Sequence, residues 1–224
     1  GDGAAYKAAL AEKGWVLSHV FITHHHGDHT EGLAVLVAGT DAEVLGPKGD
    51  KPGLEGITTH LCDGDHFMFA GARVEVLETP GHTLDMLNFY LPSEEVCFTG
   101  DTLFAMGCGR VFEGDFPMMW NSLSKLMSTL PAQTVIYCSH EYTAANVAFA
   151  LSVDPENPAL IARAETVAAL RSRHEPTIPT TMAEELATNP FLRASDKDIR
   201  AFLSLEDASD AAVFAEIRSR KDNF

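Results

Sequence analysis

The residues best suited to chemistry lie in one short run, Thr23-His24-His25-His26-Gly27-Asp28-His29. Imidazole and carboxylate groups are ligands that suit a borderline metal ion such as zinc. The run follows the apolar segment Val16–Ile22, so a strand ending here would place these donors at the edge of a sheet. Alternate positions of an extended chain diverge, so an H-x-H-x-D-H spacing can serve two ions. This spacing predicts a metal-dependent hydrolase.

Three more ligand-type residues follow predicted strands, namely His82, Asp101 and His140. A glycine directly before His82 and before Asp101 allows a sharp turn without a Cβ clash. Taken singly, each residue has an ordinary alternative as a surface or core histidine or as a turn-forming aspartate. Their recurrence at strand ends, together with the dense histidine run, favours a metal site. His25 occupies an x position of the motif and is expected to point away from the ions.

Predicted strands and helices alternate in the first part of the chain. Strands are predicted at Trp15–Thr23, Ala42–Gly46, Val74–Thr79, Leu87–Leu91, Val96–Thr99 and Thr134–Cys138. Helices are predicted at Tyr6–Lys13, Thr30–Ala38 and Ser122–Leu130, and then at Ala144–Ser152, Ala159–His174, Met182–Ala187 and Ala208–Arg220. We therefore expect an α/β catalytic domain over residues 1–140 and an all-helical substrate-binding domain over residues 141–224.

The composition is that of a globular protein with a large negative charge. The 224 residues carry a formal net charge of −16, which disfavours nucleic acid as a partner. No apolar run approaches the roughly 20 residues needed to span a bilayer, and no signal-peptide pattern opens the chain. The four scattered cysteines indicate reduced thiols of a cytoplasmic protein. We expect a monomer that acts on a small molecule, away from membranes.

The histidine and aspartate set resembles the metallo-β-lactamase superfamily, whose fold is an αββα sandwich with a dinuclear metal site at one edge. The H-x-H-x-D-H run indicates only this superfamily. Other segments resemble its glyoxalase II (hydroxyacylglutathione hydrolase) family, and the similarity covers nearly all of the chain. These segments are Gly100–Phe104, Gly107–Arg110, Glu113-Gly114, Ser139–Thr143 and Asn189–Arg193.

The resemblance implies a role for each matching position. One metal ion would be held by His24, His26 and His82, the second by Asp28, His29 and His140, with Asp101 bridging both. The glutathione-contacting positions would be Arg110, Tyr142, Arg193 and Lys197, with Phe112 standing where many relatives carry a tyrosine. Cations and a phenol suit the two carboxylates of glutathione. For Arg193 and Lys197 the alternative is a solvated pair at a helix end.

The chemistry implied is thioester hydrolysis with two divalent metal ions, zinc being expected and iron or manganese being compatible. A bridging hydroxide would attack the carbonyl of S-lactoylglutathione or a similar S-2-hydroxyacylglutathione thioester. Asp28 and Asp101 are the expected catalytic residues, since Asp28 could orient the nucleophile and Asp101 bridges the ions. The products would be D-lactate and glutathione, as in the second step of methylglyoxal detoxification.

Two other functions stay open. A persulfide dioxygenase shares the fold and the use of glutathione, but it uses one iron and would lack a helical tail with Asn189-Pro190-Phe191. A non-catalytic metal-binding protein is the third possibility. It gains weight because relatives carry about one β-hairpin and a further strand before the position matching Gly1. Without those strands the sheet would have an open edge, so we expect lower stability or an edge covered by another chain.

Overall fold

Two facing β-sheets form the centre of the computed structural model, which describes residues 2–224. The smaller sheet is parallel, with the order β1 (His19–Phe21), β2 (Glu43–Pro47), β3 (Thr59–Leu61). The larger sheet has the order β11-β10-β7-β6-β5-β4. Its strands are β4 (His66–Phe69), β5 (Ala72–Glu78), β6 (Leu87–Leu91), β7 (Val96–Gly100), β10 (Val135–Cys138) and β11 (Thr180–Thr181). A separate hairpin consists of β8 (Leu103–Phe104) and β9 (Gly107–Cys108).

Helices cover the outer faces of the sheets and make up most of the last third of the chain. Before residue 141 they are α1 (Gly3–Lys13), α2 (Gly27–Thr30), α3 (Leu33–Val37) and α4 (Phe116–Thr129). After it they are α5 (Thr143–Val153), α6 (Pro158–Ser172), α7 (Met182–Thr188), α8 (Lys197–Leu203) and α9 (Asp210–Asp222). None of these helices is long and apolar enough to cross a membrane.

Alternating side chains of the larger sheet face two different cores. Val76 and Phe89 point into the space between the sheets, where they pack with Leu45 of the smaller sheet. Leu77 and Ile136 point the other way, into a core shared with α4 and the C-terminal helices. This period-two alternation is that of a sheet buried on both faces. The αββα sandwich of the metallo-β-lactamase fold, followed by a helical segment, is therefore confirmed.

The segment between α1 and the histidine run differs from its prediction. A buried strand was expected at Trp15–Thr23, but only His19–Phe21 pairs with β2. Trp15 and Val16 are exposed, Val16 by 91%. An apolar run becomes a strand only where a partner is available, and β2 offers partners to these three residues. The helical segment likewise contains one unpredicted strand, β11, which extends the larger sheet.

An open trough lies beside β1. Within residues 2–224, β1 pairs with β2 on one side and with no strand on the other. Beyond this edge the inner face of the larger sheet is uncovered, leaving a cavity of about 820 Å³. Phe98 and Tyr137 stack on each other in its wall and are partly exposed.

Candidate metal centre

The direction of the strands explains why the ligand-type residues meet. Strands β5 and β7 are both antiparallel to β6, and β10 is parallel to β7, so β5, β7 and β10 all end at the same edge of the sheet. His82, Asp101 and His140 follow these three ends, and the histidine run follows β1. Four loops thus converge at one edge of the sandwich.

Glycines shape the turns that carry two of these residues. Gly81 and Gly100 have φ angles of 151° and 49°, a region that side chains with a Cβ rarely adopt. A third glycine, Gly109, allows a close approach, since a Cβ there would lie 1.9 Å from the carbonyl oxygen of Asp101. The neighbouring loop can therefore pass directly against Asp101 and His82.

The first group of side chains is His24, His26 and His82. Their candidate ligand nitrogens all lie within 4.8 Å of one another. His24 Nε2 and His82 Nε2 each lie 3.1 Å from His26 Nδ1. The Nδ1–H of His82 donates to the carbonyl oxygen of Arg110 at 2.8 Å, which leaves Nε2 with its lone pair. Such a bond is the usual way of fixing the tautomer of a metal-binding histidine.

The second group is Asp28, His29 and His140. Asp28 Oδ2 lies 3.5 Å from His29 Nε2 and 3.4 Å from His140 Nε2. The Asp28 side chain is 59% exposed, whereas the two imidazoles are mostly buried. This group therefore forms the open side of the cluster, where a small molecule could approach.

Asp101 lies between the two groups. Its Oδ2 is 3.4 Å from His82 Nε2 of the first group and 3.4 Å from His140 Nε2 of the second. Its Oδ1 is 3.4 Å from His29 Nε2. A single buried carboxylate thus contacts imidazoles of both groups.

Burial favours the neutral form of His24 and His82. It lowers the pKa of His24, and the neighbouring imidazoles, His29 first, lower it further. The pKa of His82 is also lowered by burial, against the opposing effect of the Arg110 carbonyl. Burial raises the pKa of Asp101, against the pull of His29 and His140. Neutral imidazole is the form that binds metal ions, so these histidines are ready as ligands near neutral pH.

The cluster fits a pair of metal ions. Among the described residues, His29 Nε2 and Asp101 Oδ1 are buried side-chain atoms without a hydrogen-bond partner. Buried polar atoms without a partner are costly, and a cation between them would satisfy both. Five imidazoles and two carboxylates in two connected groups are suited to a dinuclear metal site.

Two aromatic side chains flank the cluster. The Phe112 ring centroid is 5.2 Å from that of His82 and 5.9 Å from that of His26. Tyr142 stacks on His140 at 4.8 Å with an interplanar angle of 11°. Both rings are more than half exposed. They therefore form accessible walls beside the two groups.

The three cationic candidates lie in other surroundings. Arg110 is largely exposed and has its Nε 3.4 Å from Asp222. Arg193 is bound to Asp154 at 2.9 Å and to Asp196 at 2.5 Å. Lys197 is exposed in the first turn of α8. Within residues 2–224 no hydrogen bond, ion pair or ring contact joins Arg193 or Lys197 to the cluster. Carboxylates beside Arg110 and Arg193 also neutralise part of the positive charge expected here.

Comparison with known proteins identifies the family. The model "Metallo-beta-lactamase superfamily" matches residues 1–140, and the model "Hydroxyacylglutathione hydrolase C-terminus" matches residues 141–224. The chain is 51% identical over 223 residues to the hydroxyacylglutathione hydrolases of Brucella anthropi and Brucella abortus. All of this chain is covered, with 85% and 86% of those proteins. The chain belongs to the hydroxyacylglutathione hydrolase family.

Solved structures agree with this fold. The chain is similar to ETHE1 from Myxococcus xanthus with a TM-score of 0.62 and 25% identity, covering 97% of this chain and 82% of that one. It is also similar to the B3 metallo-beta-lactamase BLEG-1, with a TM-score of 0.62 and 20% identity over 86% of this chain and 85% of that one. The second likeness shows the fold alone.

One hydrogen-bond network beside the metal centre of this hydroxyacylglutathione hydrolase family member was not predicted from the sequence. Thr79, Asn88 and Thr102 are fully buried. The Thr79 and Thr102 hydroxyls are 2.6 Å apart, and Asn88 Nδ2 donates to Thr79 at 2.6 Å. The network joins the turn after Asp101 to the end of β5. Its one signal in the sequence was the presence of polar residues within apolar strand ends.

Proposed function

We propose that this chain hydrolyses S-lactoylglutathione, and similar S-2-hydroxyacylglutathione thioesters, to D-lactate or the corresponding hydroxyacid and glutathione. The observation that carries the proposal is the position of Asp101 between two groups of ligand-type side chains. It is supported by 51% identity over 223 residues to proteins named hydroxyacylglutathione hydrolase.

The proposal includes two divalent metal ions, zinc in the first place, with iron and manganese compatible with the same donors. His24, His26 and His82 would hold one ion, and Asp28, His29 and His140 the other, with Asp101 shared. Ions bound in this way lower the pKa of a water toward ~7 and polarise a carbonyl group.

The side chains around the cluster have separate tasks in this proposal. Asp28, on the exposed side, orients the attacking water. The Arg110 carbonyl keeps the proton of His82 on Nδ1 and so holds the ring in place. Phe112 and Tyr142 line the approach and contact the glutathione thioester. The departing thiolate is a good leaving group, so a carboxylate or imidazole acid has little to contribute.

The helical segment favours hydrolysis over persulfide oxidation. Asn189, Pro190 and Phe191, which a dioxygenase was expected to lack, are present and buried. Asn189 Nδ2 donates to the carbonyl oxygen of Gly107 at 3.0 Å, so this segment supports the hairpin that follows Asp101. In our proposal the segment is part of the thioesterase architecture.

A paired assay tests the function. Protein loaded with zinc or with iron is mixed with S-lactoylglutathione or with glutathione persulfide while thioester loss and dissolved oxygen are recorded together, with chelator-treated protein as the control. We expect thioester loss that depends on metal, with no oxygen uptake. Oxygen consumption on glutathione persulfide without thioester loss would instead identify a dioxygenase. Two bound ions with neither reaction would indicate a metal-binding protein without this activity.

A further inference from the structure

A second cluster of charged side chains lies directly behind the metal centre. The Nδ1–H of His25 donates to Asp85 Oδ1 at 2.8 Å, and His25 Nε2 lies 3.6 Å from Glu113 Oε1. Lys51 Nζ donates to Glu113 Oε2 at 2.5 Å and lies 3.9 Å from Asp85 Oδ1. We call His25, Lys51, Asp85 and Glu113 the rear cluster.

Three members of the rear cluster lie on loops that carry or orient ligands of the three-histidine group, and Lys51 reaches them from the loop between β2 and β3. His25 stands between His24 and His26 in the chain, and Asp85 follows His82 by three positions. Glu113 follows Arg110 by three positions, and the Arg110 carbonyl accepts the proton of His82. The rear cluster therefore joins the loop of the histidine run to the loop of His82 and to the loop that orients His82.

Backbone contacts run between the same loops. Glu113 Oε2 also accepts from the backbone N–H of Leu84 at 2.7 Å. The N–H of Phe112 donates to the carbonyl oxygen of His82 at 3.3 Å, and that of Gly114 to the carbonyl oxygen of Gly81 at 3.1 Å. The side chains of the rear cluster thus link two backbone segments, 81–84 and 112–114, that are already hydrogen-bonded to each other.

The carboxylates of the rear cluster already have a cation of the chain beside them. His25, Asp85 and Glu113 have the donors of a small cation site, but the Lys51 ammonium already lies against both carboxylates. The Asp85 side chain is only 8% exposed, where ion pairs are screened little by salt. These contacts suit a fixed support better than an exchangeable ion.

We infer that His25, Lys51, Asp85 and Glu113 are positioning residues for the ion held by His24, His26 and His82. They keep three loops in register so that the three imidazoles converge on one point. This inference rests on the proposed function in that it takes those histidines as metal ligands. Groups that support metal ligands typically change metal affinity by about 10- to 100-fold when removed.

The test is a metal titration that needs no turnover. Metal-free protein is titrated with Zn²⁺ in competition with a coloured chelator. The Asp28→Ala background is used in parallel because it weakens the other ion site. We expect Asp85→Asn and Glu113→Gln to lower the zinc affinity of the three-histidine group by about 10- to 100-fold. The ion at Asp28, His29 and His140 should keep its affinity to within about 2-fold.

A matched control exists elsewhere on the surface. Asp63 accepts from the Lys125 ammonium and from the backbone N–H of Glu78, the same pair of donor types that Glu113 binds. Asp63→Asn should leave both zinc affinities unchanged. Lys51→Arg should preserve the binding that Lys51→Met loses, and kcat should fall in Lys51→Met with little change in KM.

The outcomes separate the two proposals. An equal loss of zinc affinity at both sites, or no loss at either, would overturn the positioning role. A loss of zinc affinity that merely follows a lower melting temperature of the metal-free variants would do the same. Failure of wild-type protein to hydrolyse S-lactoylglutathione would count against the proposed function, while the zinc titration would still decide the role of the rear cluster.

Discussion

Phe112 offers a residue-scale test of substrate contact. Its ring lies beside His26 and His82 and is exposed. In Phe112→Tyr the added hydroxyl would gain one hydrogen bond to the glutathione backbone, worth about 0.5–1.5 kcal/mol. We expect KM to fall by about 2- to 12-fold with kcat unchanged.

Steady-state kinetics with S-lactoylglutathione measure this effect. Phe202 is also exposed and lies in the C-terminal half of the chain, so Phe202→Tyr is the matched control and should keep the wild-type KM. An unchanged or higher KM in Phe112→Tyr would show that this ring does not contact the substrate.

The buried histidines give the metal-free protein a defined response to pH. Burial lowers the pKa of His24, His29 and His82 below the ordinary value of 6.5. Their contribution to stability is fully present above pH 6.5 and is lost as pH falls toward the folded-state values. Asp101 has the opposite effect on the pH dependence of stability, because burial raises its pKa. The three histidines outnumber this one carboxyl group.

Thermal unfolding of metal-free protein checks this response. We expect the melting temperature to fall between about pH 7.5 and about pH 5.5, and to fall less in His82→Asn. A melting temperature that stays level or rises over this range would contradict the burial of neutral imidazoles.

At the scale of elements, local patterns predicted the strands that form the middle of the larger sheet. β6 has the predicted bounds, Leu87–Leu91, because all five residues are buried. α4 starts six residues before its predicted start at Ser122. Pro117 lies in the first turn of the helix, where proline is well tolerated, and Asp115 caps this turn. β3, β4 and β11 were missed because they are short and partly exposed.

Convergence of the site was predictable and its long-range partners were not. The ligand-type residues could be found because each follows an apolar strand segment. The pairing of Arg193 with Asp154 and of Lys51 with Glu113 spans 39 and 62 positions. No local pattern encodes such contacts, since they depend on how loops pack after the sheets have formed. The roles given to the site residues remain predictions.

The contact between α7 and the β8–β9 hairpin depends on a buried ion pair between Glu185 and Arg163. Glu185 is fully buried, and its carboxylate accepts from Arg163 at 2.5 Å, from the Met106 N–H at 2.9 Å and from Asn189 at 2.8 Å. In Glu185→Ala the Arg163 charge would be left buried without its partner. We expect a loss of about 3–5 kcal/mol in unfolding free energy.

Urea unfolding measures this loss. Glu216→Ala is the control, since Glu216 also bonds an arginine from a helix but lies at the surface, where ion pairs contribute about 0–1 kcal/mol. Equal costs for the two variants would show that the contact between α7 and the hairpin does not depend on this pair.

At the scale of the whole molecule, one core joins the sandwich to the C-terminal helices. Leu77 and Leu123 share a buried cluster with Phe214 and Ile217 of α9, and Trp120 lies 5.8 Å from Phe214. Phe214→Ala should therefore destabilise the entire chain by about 3–5 kcal/mol. Unfolding should remain a single transition, as expected of one shared core.

Tryptophan fluorescence and far-ultraviolet circular dichroism recorded on the same samples test this point. Phe202→Ala, at an exposed position of α8, should unfold like the wild type. Two separate transitions, with only the later helices lost first in Phe214→Ala, would contradict a shared core.

In the part of the chain that the structure describes, the trough beside β1 is an apolar surface on an acidic molecule. At a net charge of −16, copies of the chain repel one another in dilute buffer, and their troughs do not come into contact. Added salt shortens the range of that repulsion to about 3 Å at 1 M, while apolar contact is left intact. Light scattering should then show self-association that grows with ionic strength. Phe98→Lys, which puts a charge into the trough, should abolish this self-association. Association that weakens with salt would point to ion pairs between copies instead.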